Sequence, residues 1–173
     1  ELQIVDEDGN ECPPLTTAEL LVRGTSIFRG YWNRPDANAE TFVNGDWMRT
    51  GDVAYLDADG FLFIVDRIKD LVIRGGENIG CGEVEAALLE HPNVHEASVY
   101  AVPDERLGEE VGTTLYTEHP LSEEELRAFL AERLAKFKIP TYLWQQQEPL
   151  PRTASGKILK RELREQAAAR VSG

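Results

Sequence analysis

The stretch DRIKDLVIRGGENIGCGEVE, residues 66–85, lies where the hydrophobic pattern of the chain changes. Before it, short apolar runs surround two turn signals, Asp8-Gly9 and Asp59-Gly60, which predicts two β-hairpins, with one turn of helix after Pro35. After it, strand-like and helix-like segments alternate. The change predicts a β-rich segment followed by a small α+β domain, in which helices flank a short sheet.

The second part contains the clearest helix of the sequence, LSEEELRAFLAERLAKF. Ser122 and Glu125 form a capping box at its start, and the apolar residues after them lie on one face at helical spacing. That face consists of Leu126, Phe129, Leu130, Leu134 and Phe137. The other predicted elements are strands at DLVIRGG, VHEASVYAVPD, EVGTTLYTE and TYLW, and helices at GEVEAALLEHPN and residues 160–170.

The charged segment VDRIKD separates the two patterns and suits a hinge between domains. We therefore predict one domain over residues 1–66 and a second over residues 67–173. An ordinary turn between two strands explains the same residues equally well, so both interpretations stay open at this point.

The chain of 173 residues carries 31 acidic and 18 basic residues, a formal net charge of −13. Such a surface repels phosphate backbones and anionic lipids, which argues against binding to nucleic acid or to a membrane surface. No apolar run approaches the roughly 20 residues of an integral membrane segment. Cys12 and Cys81 are too few for a disulfide scaffold and lack zinc-binding spacing, so we expect a reducing, cytoplasmic setting and no metal site. Because the chain begins without Met and without a signal peptide, we expect it to be a piece of a longer protein.

Three short motifs contain candidate binding residues, and the first is PRTASGK near the C-terminus. Lys157 follows a Ser-Gly turn, as in a phosphate-binding loop. Pro151 replaces the first glycine of that loop and Ile158 replaces its hydroxyl residue, so what remains is one mobile positive charge. A solvated lysine at the start of a helix is the alternative that the local sequence favours.

The other two motifs lie in the first half of the chain. In WMRTGD, Asp52 follows a Thr-Gly turn, where a carboxylate can accept hydrogen bonds from a vicinal diol such as a ribose. A turn aspartate that satisfies its own backbone is the commoner case. In the stretch quoted first, Gly75-Gly76 allows close approach to a ligand or a positive φ. Arg67 and Lys69 point to the same side if that stretch is extended, whereas a salt-bridged strand before a tight turn is the alternative.

In their order and spacing, five motifs resemble those of one family. They are GYWNRP, WMRTGD, DGFLFIVDRIKDLVIRGGENI, GEVEAALLEHPNVHEASVYAVPDERLGE and PRTASGKILKREL. From about residue 19 to residue 165, the chain resembles the C-terminal part of the adenylate-forming enzymes, the superfamily of acyl-CoA synthetases, nonribosomal adenylation domains and luciferases. Chance agreement of five ordered motifs is negligible.

The resemblance implies two domains with different tasks. In this family a large N-terminal domain holds ATP and the carboxylic acid, and a small C-terminal lid closes over them. Residues 1–66 then correspond to the end of the N-terminal AMP-binding domain, and residues 67–173 to the lid. The resemblance further implies that Asp52 binds the ribose hydroxyls, that Arg67 contacts the same ribose or the nearby phosphate, and that Lys69 is the hinge residue.

The resemblance also assigns two parts of the lid to two half-reactions. Lys157 reaches the carboxylate and the α-phosphate during adenylation, and the lid then rotates for thioester formation. A loop of the lid next lines the tunnel for the pantetheine of CoA, where a side chain at either glycine would obstruct the thiol. This loop consists of Gly75, Gly76, Glu77 and Asn78. Family members commonly carry an aromatic residue where this chain has Gly80, and this departure predicts a looser loop or looser docking of the following helix.

The resemblance implies ATP, CoA and a small carboxylic acid as ligands, with Mg²⁺ as the metal. The metal, triphosphate and acyl sites of the family lie in the N-terminal domain, upstream of residue 1, and that domain is the expected partner of this chain. The pattern P-x-x-x-x-G-K around Lys157 also resembles the site at which bacterial lysine acetyltransferases silence acyl-CoA synthetases.

The leading interpretation is a segment of an acid–CoA ligase of the fatty or aryl acid type, inactive by itself. An adenylation domain that charges a carrier protein is an alternative, against which the chain shows no carrier domain and a free-standing type of SGKILKREL motif. Offering free CoA and carrier protein to the longer enzyme distinguishes the two. A non-catalytic interaction or regulatory module is the third interpretation, favoured if neither AMP nor CoA binds once the N-terminal domain is restored.

Overall fold

The computed structural model describes residues 1–171, which divide into two compact units. The first unit is Glu1–Lys69 and the second begins at Asp70. The boundary expected after residue 66 falls inside the last strand of the first unit, one residue before that strand ends. Each unit contains its own sheet.

The first unit is an antiparallel sheet with one short helix. Its elements are β1 (Leu2–Val5), β2 (Ala18–Val22), α1 (Pro35–Thr41), β3 (Phe42–Val43), β4 (Trp47–Leu56) and β5 (Leu62–Arg67). Strand β4 is central, because β2 pairs with one of its edges while β3 and then β5 pair with the other. The predicted hairpins are confirmed as the pairs β1–β2 and β4–β5, and the helix after Pro35 is confirmed as α1.

The apolar side chains just before and along strand β5 are exposed. Phe61, Phe63 and Val65 are 66%, 43% and 45% exposed. Within the described residues, β5 pairs with β4 alone and lies at the edge of the sheet, so its side chains are poorly covered. The core of this unit instead gathers around Ile4, Leu20 and Ala54.

The second unit is built on a five-stranded mixed sheet. Its elements are β6 (Leu71–Arg74), β7 (Glu77–Gly80), α2 (Cys81–Leu89), β8 (Val94–Asp104), β9 (Gly108–Thr117), α3 (Glu123–Ala131), β10 (Tyr142–Gln146) and α4 (Lys160–Val171). Strand β8 pairs antiparallel with the whole of β9. The other edge of β9 pairs with β6 near its start and then, in parallel, with β10. The predicted α+β fold is confirmed.

Alternate residues of β8 face two different cores, as the period of a strand requires. Val99 and Ala101 pack with the apolar faces of α2 and α3. Tyr100 and Val102 pack on the other side with α4. The unit therefore has three layers, with the sheet between helices. Among residues 1–171, no helix has the length and apolar character needed to cross a lipid bilayer.

Helix α3 is shorter than the sequence predicts. One of the two bonds of the expected capping box is present, since the Ser122 side chain accepts a hydrogen bond of 3.1 Å from the Glu125 N–H. The helix ends at Ala131, however, and a 3₁₀ turn at Lys136–Lys138 follows. Leu134 and Phe137 pack against the same core although they lie beyond the end of α3. Their spacing from Leu130 is that of two further helical turns, which explains why the sequence predicts a longer helix.

The centre of β9 has no side chain at Gly112, where neighbours close in. A Cβ atom there would lie 2.4 Å from Val102 Cγ2 and 3.3 Å from the Trp144 ring. The rings of Tyr100 and Trp144 lie nearly parallel, 6.4 Å apart, and Tyr142 stacks on Trp144 at 5.6 Å. An aromatic stack thus spans β8, β9 and β10 across the glycine.

Candidate functional site

Asp52 and Arg67 meet side by side on the β4–β5 hairpin. They are paired in register, and Arg67 Nε donates to Asp52 Oδ1 at 2.9 Å. The Arg67 side chain stays 63% exposed while that of Asp52 is 21% exposed. Thr50 and Gly51 lie within strand β4 and not in the turn expected from the sequence. The Thr50 hydroxyl fixes this part of the strand, because it accepts from the Asp52 N–H and donates to the Leu20 carbonyl.

This pair can bind a ligand that carries both hydroxyls and negative charge. A carboxylate accepts hydrogen bonds from hydroxyl groups, and a guanidinium donates to phosphate oxygens. An ion pair this exposed contributes only about 0–1 kcal/mol to stability, so its members can exchange partners at little cost. The carboxylate of Asp52 bonds a side chain on the next strand rather than its own turn backbone.

Lys69 lies in the 3₁₀ turn Ile68–Asp70 and is exposed. It is the last residue of the first unit. The condition under which Arg67 and Lys69 share a side is not met, because the extended chain ends at Arg67.

The glycine pair forms the tip of the β6–β7 hairpin. Arg74 pairs with Glu77, which leaves a two-residue turn in which Gly75 has φ +57° and Gly76 has φ +91°. These positive values are typical of a type I′ turn, which favours glycine at both positions. A Cβ at Gly75 would lie 3.0 Å from Leu107 Cδ2, whereas Gly76 faces open space.

The loop around this tip presents its backbone to solvent. Gly75, Gly76, Glu77 and Asn78 are all exposed. At the far end of β7, Gly80 pairs with Leu71 and has φ −70°, a backbone conformation open to any residue. The hairpin is thus held by its ladder without an aromatic residue at that position.

The base of this hairpin is fixed to β9 by charge. Arg74 Nε donates to Glu110 Oε2 at 2.8 Å, and the Thr141 hydroxyl donates to the same oxygen at 2.9 Å. Glu110 is only 5% exposed. Burial by itself raises the pKa of Glu110, but the hydrogen bonds from Arg74 and Thr141 outweigh it and leave the pKa below 4.5. The carboxyl group is therefore charged at neutral pH.

Lys157 ends a tight turn that holds its backbone and leaves its side chain free. The Thr153 N–H donates to the Lys157 carbonyl at 2.8 Å, and the Thr153 hydroxyl accepts from the Lys157 N–H at 3.1 Å. The side chain is exposed, and its ammonium has no hydrogen bond or ion pair to any residue in the described range 1–171. An unpaired ammonium of this kind can move to an incoming anion.

Lys160, only three residues further on, differs from Lys157 because its ammonium is ion-paired and partly buried. Its ammonium lies 3.0 Å from Glu85 Oε1 and 3.8 Å from Asp70 Oδ1, and its side chain is 27% exposed. Burial lowers the pKa of Lys160, but the nearby Cys81, Glu85 and Asp70 outweigh it and the net pKa is raised. Lys160 is thus engaged within the fold.

The Lys157 turn and the glycine hairpin are attached at opposite ends of the β8–β9 ladder. Arg152, at the start of the turn, contacts Glu96 at 2.6 Å, near the open end of the ladder. Glu110 lies opposite Val102, six residues along β8 from Glu96. At 3.3 Å per residue, the two anchor points are about 20 Å apart. The sequence did not predict the anchoring role of Arg74, Glu96, Glu110 and Arg152.

The second unit matches a known protein family. Residues 83–157, which include the β8–β9 ladder and end at Lys157, match the family described as AMP-binding enzyme C-terminal domain. This part of the chain is similar to the C-terminal domain of AMP-binding enzymes. The predicted resemblance to the C-terminal part of an adenylate-forming enzyme is confirmed.

Three relatives illustrate the match. The 2-succinylbenzoate–CoA ligase of Bacillus velezensis is 47% identical over 161 residues, which are 93% of this chain and 33% of that protein. The o-succinylbenzoate CoA synthetase of Bacillus subtilis, solved with the acyl-adenylate OSB-AMP, has a TM-score of 0.86 and 44% identity, covering 94% of this chain and 33% of that one. The amide bond synthetase McbA of Marinactinospora thermotolerans has a TM-score of 0.83 and 33% identity, covering 96% and 34%.

The chain thus spans about a third of the length of the curated relatives that it matches. The B. subtilis synthetase has also been solved with ATP and a magnesium ion. The first two relatives are named as ligases of succinylbenzoate.

Replacing Glu110 by Gln tests the charge at the base of the glycine hairpin. At pH 7 we expect the free energy of unfolding to fall by roughly 1–3 kcal/mol, because Arg74 loses its charged partner. The folded pKa of Glu110 lies below 4.5, so the carboxylate stabilises the fold above pH 4.5, and this contribution is lost as the pH falls through the folded pKa. Urea denaturation of wild type and variant measures the difference, which shrinks below pH 4.5.

The exposed pair Arg161–Glu165 supplies the control, since its side chains are 90% and 64% exposed. Glu165→Gln should change stability by less than about 0.5 kcal/mol at any pH. A Glu110→Gln difference that stays constant from neutral to acid pH would contradict the charge assignment.

Proposed function

We propose that the longer protein represented by this chain is an AMP-forming acid–CoA ligase, and that the second unit is its mobile lid. The main support is the placement of a free lysine and a bare glycine hairpin at opposite ends of one ladder. A body with this layout can present either end to a fixed site by rotating, as two-state domain motions do. Relatives of 44–47% identity are ligases that join an acid to CoA.

In the first half-reaction, a carboxylate oxygen of the acid attacks the α-phosphorus of ATP, and the bond to pyrophosphate breaks. Negative charge on the phosphorus oxygens and on the attacking carboxylate has to be stabilised while both are partly bonded. The free ammonium of Lys157 supplies a positive charge there, and one well-placed donor of this kind is worth about 3–4 kcal/mol in the transition state. Asp52 accepts hydrogen bonds from the ribose hydroxyls, while the exposed guanidinium of Arg67 lies beside the same ribose.

In the second half-reaction, the thiolate of CoA attacks the acyl carbonyl and AMP leaves. The exposed hairpin tip of Gly75 and Gly76 replaces Lys157 at the site and lines the path of the pantetheine, with Glu77 and Asn78 beside it. No Cβ projects from the tip, so the thiol can pass close to the backbone. Lys69, exposed in the turn that ends the first unit, is the residue about which the lid rotates.

The remaining ligands are assigned outside this chain. Within residues 1–171 no group of three or more His, Cys, Asp or Glu residues is arranged to hold a metal ion. We therefore place Mg²⁺ and the triphosphate in the part of the relatives that this chain does not cover, along with the acyl pocket. Because the first two relatives act on succinylbenzoate, an aromatic acid of this type is the substrate to test first. The chain by itself is then inactive.

Lys157→Ala in the full-length ligase tests the assignment of the free ammonium. Adenylation, followed as pyrophosphate release, should slow by about 100-fold or more, because the variant loses charge stabilisation in the transition state. Thioester formation from preformed acyl-adenylate should stay within about twofold of wild type. Arg164→Ala, which removes an exposed positive charge from α4, is the control and should slow neither step. Equal losses in both steps of Lys157→Ala would show that the lysine has no half-reaction of its own.

Lys69→Pro tests the hinge. Proline fixes φ near −65°, so the variant should be held in one orientation of the lid. We expect one half-reaction to be lost by at least about 100-fold while the other survives. Lys69→Ala leaves the torsions free and separates hinge rotation from loss of the side chain. If the proline variant performs both steps at the wild-type rate, Lys69 is not the hinge.

Lysine acetylation at Lys157 is a proposed means of regulation. The support is the exposed, unpaired ammonium in the PRTASGK motif, since a modifying enzyme needs access to a free amine. Acetylation removes the positive charge and with it the electrostatic contribution to adenylation. Incubation of the full-length ligase with a bacterial lysine acetyltransferase and acetyl-CoA should add one acetyl group at Lys157 by mass spectrometry and stop adenylation. The ion-paired Lys160 is the internal control, and modification of Lys160 in preference to Lys157 would refute the proposal.

A further inference from the structure

The β8–β9 hairpin of the second unit carries two glutamates, each bound to an arginine at the base of one of the two candidate loops. Glu96 on β8 binds Arg152, and Glu110 on β9 binds Arg74. We propose that these pairs are positioning residues, Glu96–Arg152 for adenylation and Glu110–Arg74 for thioester formation. The inference rests on the proposed function of the two loops and adds residues to which no role in the reaction has been assigned.

Arg152 braces the turn that carries Lys157. Its Nη2 donates to Glu96 Oε1 at 2.6 Å, and its Nη1 donates to the Gly156 carbonyl at 2.6 Å. Gly156 directly precedes Lys157, so one planar guanidinium joins the sheet to the residue next to the lysine. The second carboxylate oxygen of Glu96 accepts from the Leu150 N–H at 2.7 Å. Glu96 therefore fixes the chain on the way into the turn while Arg152 fixes it on the way out.

Arg74 has the equivalent position at the glycine hairpin. It directly precedes Gly75, and its Nε donates to the buried Glu110. The Gly75 N–H donates to the Leu107 carbonyl at 2.9 Å, so the tip is tied to the β8–β9 turn as well. The orientation of the exposed tip is thus set by the carboxylate of Glu110 below it.

Burial distinguishes these two pairs from ordinary surface ion pairs. The side chains of Glu96 and Glu110 are 18% and 6% exposed. In Arg161–Glu165, on the outside of α4, the glutamate is 64% exposed. Hydrogen bonds to a charged, poorly solvated carboxylate are stronger than those of exposed pairs and hold their geometry. The fork of Arg152 also joins two acceptors at once, Glu96 and the Gly156 carbonyl, which a lysine ammonium does not reproduce.

Each pair is expected to affect one half-reaction only. The anchors are about 20 Å apart along the ladder, so loosening one loop leaves the other in place. A charge displaced by about 1 Å from its working position can cost up to 100-fold in rate. Loss of Glu96–Arg152 therefore moves Lys157, and loss of Glu110–Arg74 moves the glycine tip.

The experiment uses Arg152→Gln, Glu96→Gln, Arg74→Gln and Glu110→Gln in the full-length ligase, each assayed for both half-reactions. The first two should lower kcat of adenylation by about 10- to 100-fold with the KM for ATP unchanged, and leave thioester formation from preformed adenylate within about twofold. Arg74→Gln and Glu110→Gln should slow thioester formation from preformed adenylate by about 10- to 100-fold and leave adenylation within about twofold of wild type. Arg152→Lys should not restore adenylation, because a single ammonium cannot join Glu96 to Gly156.

Amide hydrogen exchange on the chain of residues 1–173 gives a readout that does not depend on activity. Glu96→Gln should speed exchange at Thr153 and Lys157, and Glu110→Gln at Gly75, with the rest of the ladder unchanged. Arg161→Gln is the matched control for an exposed arginine and should alter neither exchange nor either half-reaction.

Three results overturn the inference. Equal losses in both half-reactions for all four variants would mean that the pairs serve general stability. Full adenylation in Glu96→Gln and Arg152→Gln, while Lys157→Ala is inactive, would remove the positioning role and leave the proposed function intact. Full adenylation in Lys157→Ala itself would remove the proposed function and this inference with it.

Discussion

The antiparallel ladder between β8 and β9 is the interaction on which the second unit depends. It is paired over the full length of β9, and its two faces supply both hydrophobic cores. Strands β6 and β10 attach to the other edge of β9, and β7 attaches to β6. Both candidate loops are fixed to the ends of the ladder through carboxylates. Because protein interiors are close-packed, such a ladder is rigid, and the points at its two ends keep a fixed separation. The distance between the two loops is therefore a property of the strand length and not of the loops themselves.

The charged side chains near the two candidate loops differ from the strongly negative average of the chain. At a net charge of −13, any anionic substrate meets a repulsive field at long range. Glu96 and Glu110 do not add to this field locally, since each is neutralised by an arginine next to a loop, and Lys160 is neutralised within the fold by Glu85 and Asp70. Lys157, the last residue of the PRTASGK motif, shares its charge with no other residue in the described part of the chain.

Much of the fold could be predicted because most of its strands and helices are long enough to show the periodic spacing of apolar residues typical of each. Strands β8 and β9 and helix α4 fall where the alternation placed them. Strand β7 was missed because ENIG is four residues long, half polar, and continuous with a glycine turn. The end of α3 was missed because Leu134 and Phe137 keep helical spacing outside the helix.

The site residues were predictable where they belong to motifs, and their contacts were not. The loop anchors join residues 36 and 56 positions apart, a separation that no local pattern encodes. The Asp52–Arg67 contact is an intermediate case. Counting back from the Asp59-Gly60 turn gives this pair, but only because the register shift between Val53 and Ala54 restores the count.

The missing side chain at Gly112 has a mechanical consequence for the C-terminal part of the chain. Strand β10 shares only five residue pairs with its neighbour and would by itself be a weak support for the segment that leads to Lys157. Through the gap at Gly112, however, the Trp144 ring lies over the sheet and stacks between Tyr142 and Tyr100, so β10 is clamped from above as well as bonded along its side. The backbone at Leu150 and in the turn after it is therefore held in place by a rigid strand. The motion of Lys157 is then limited to rotations within its four-carbon side chain.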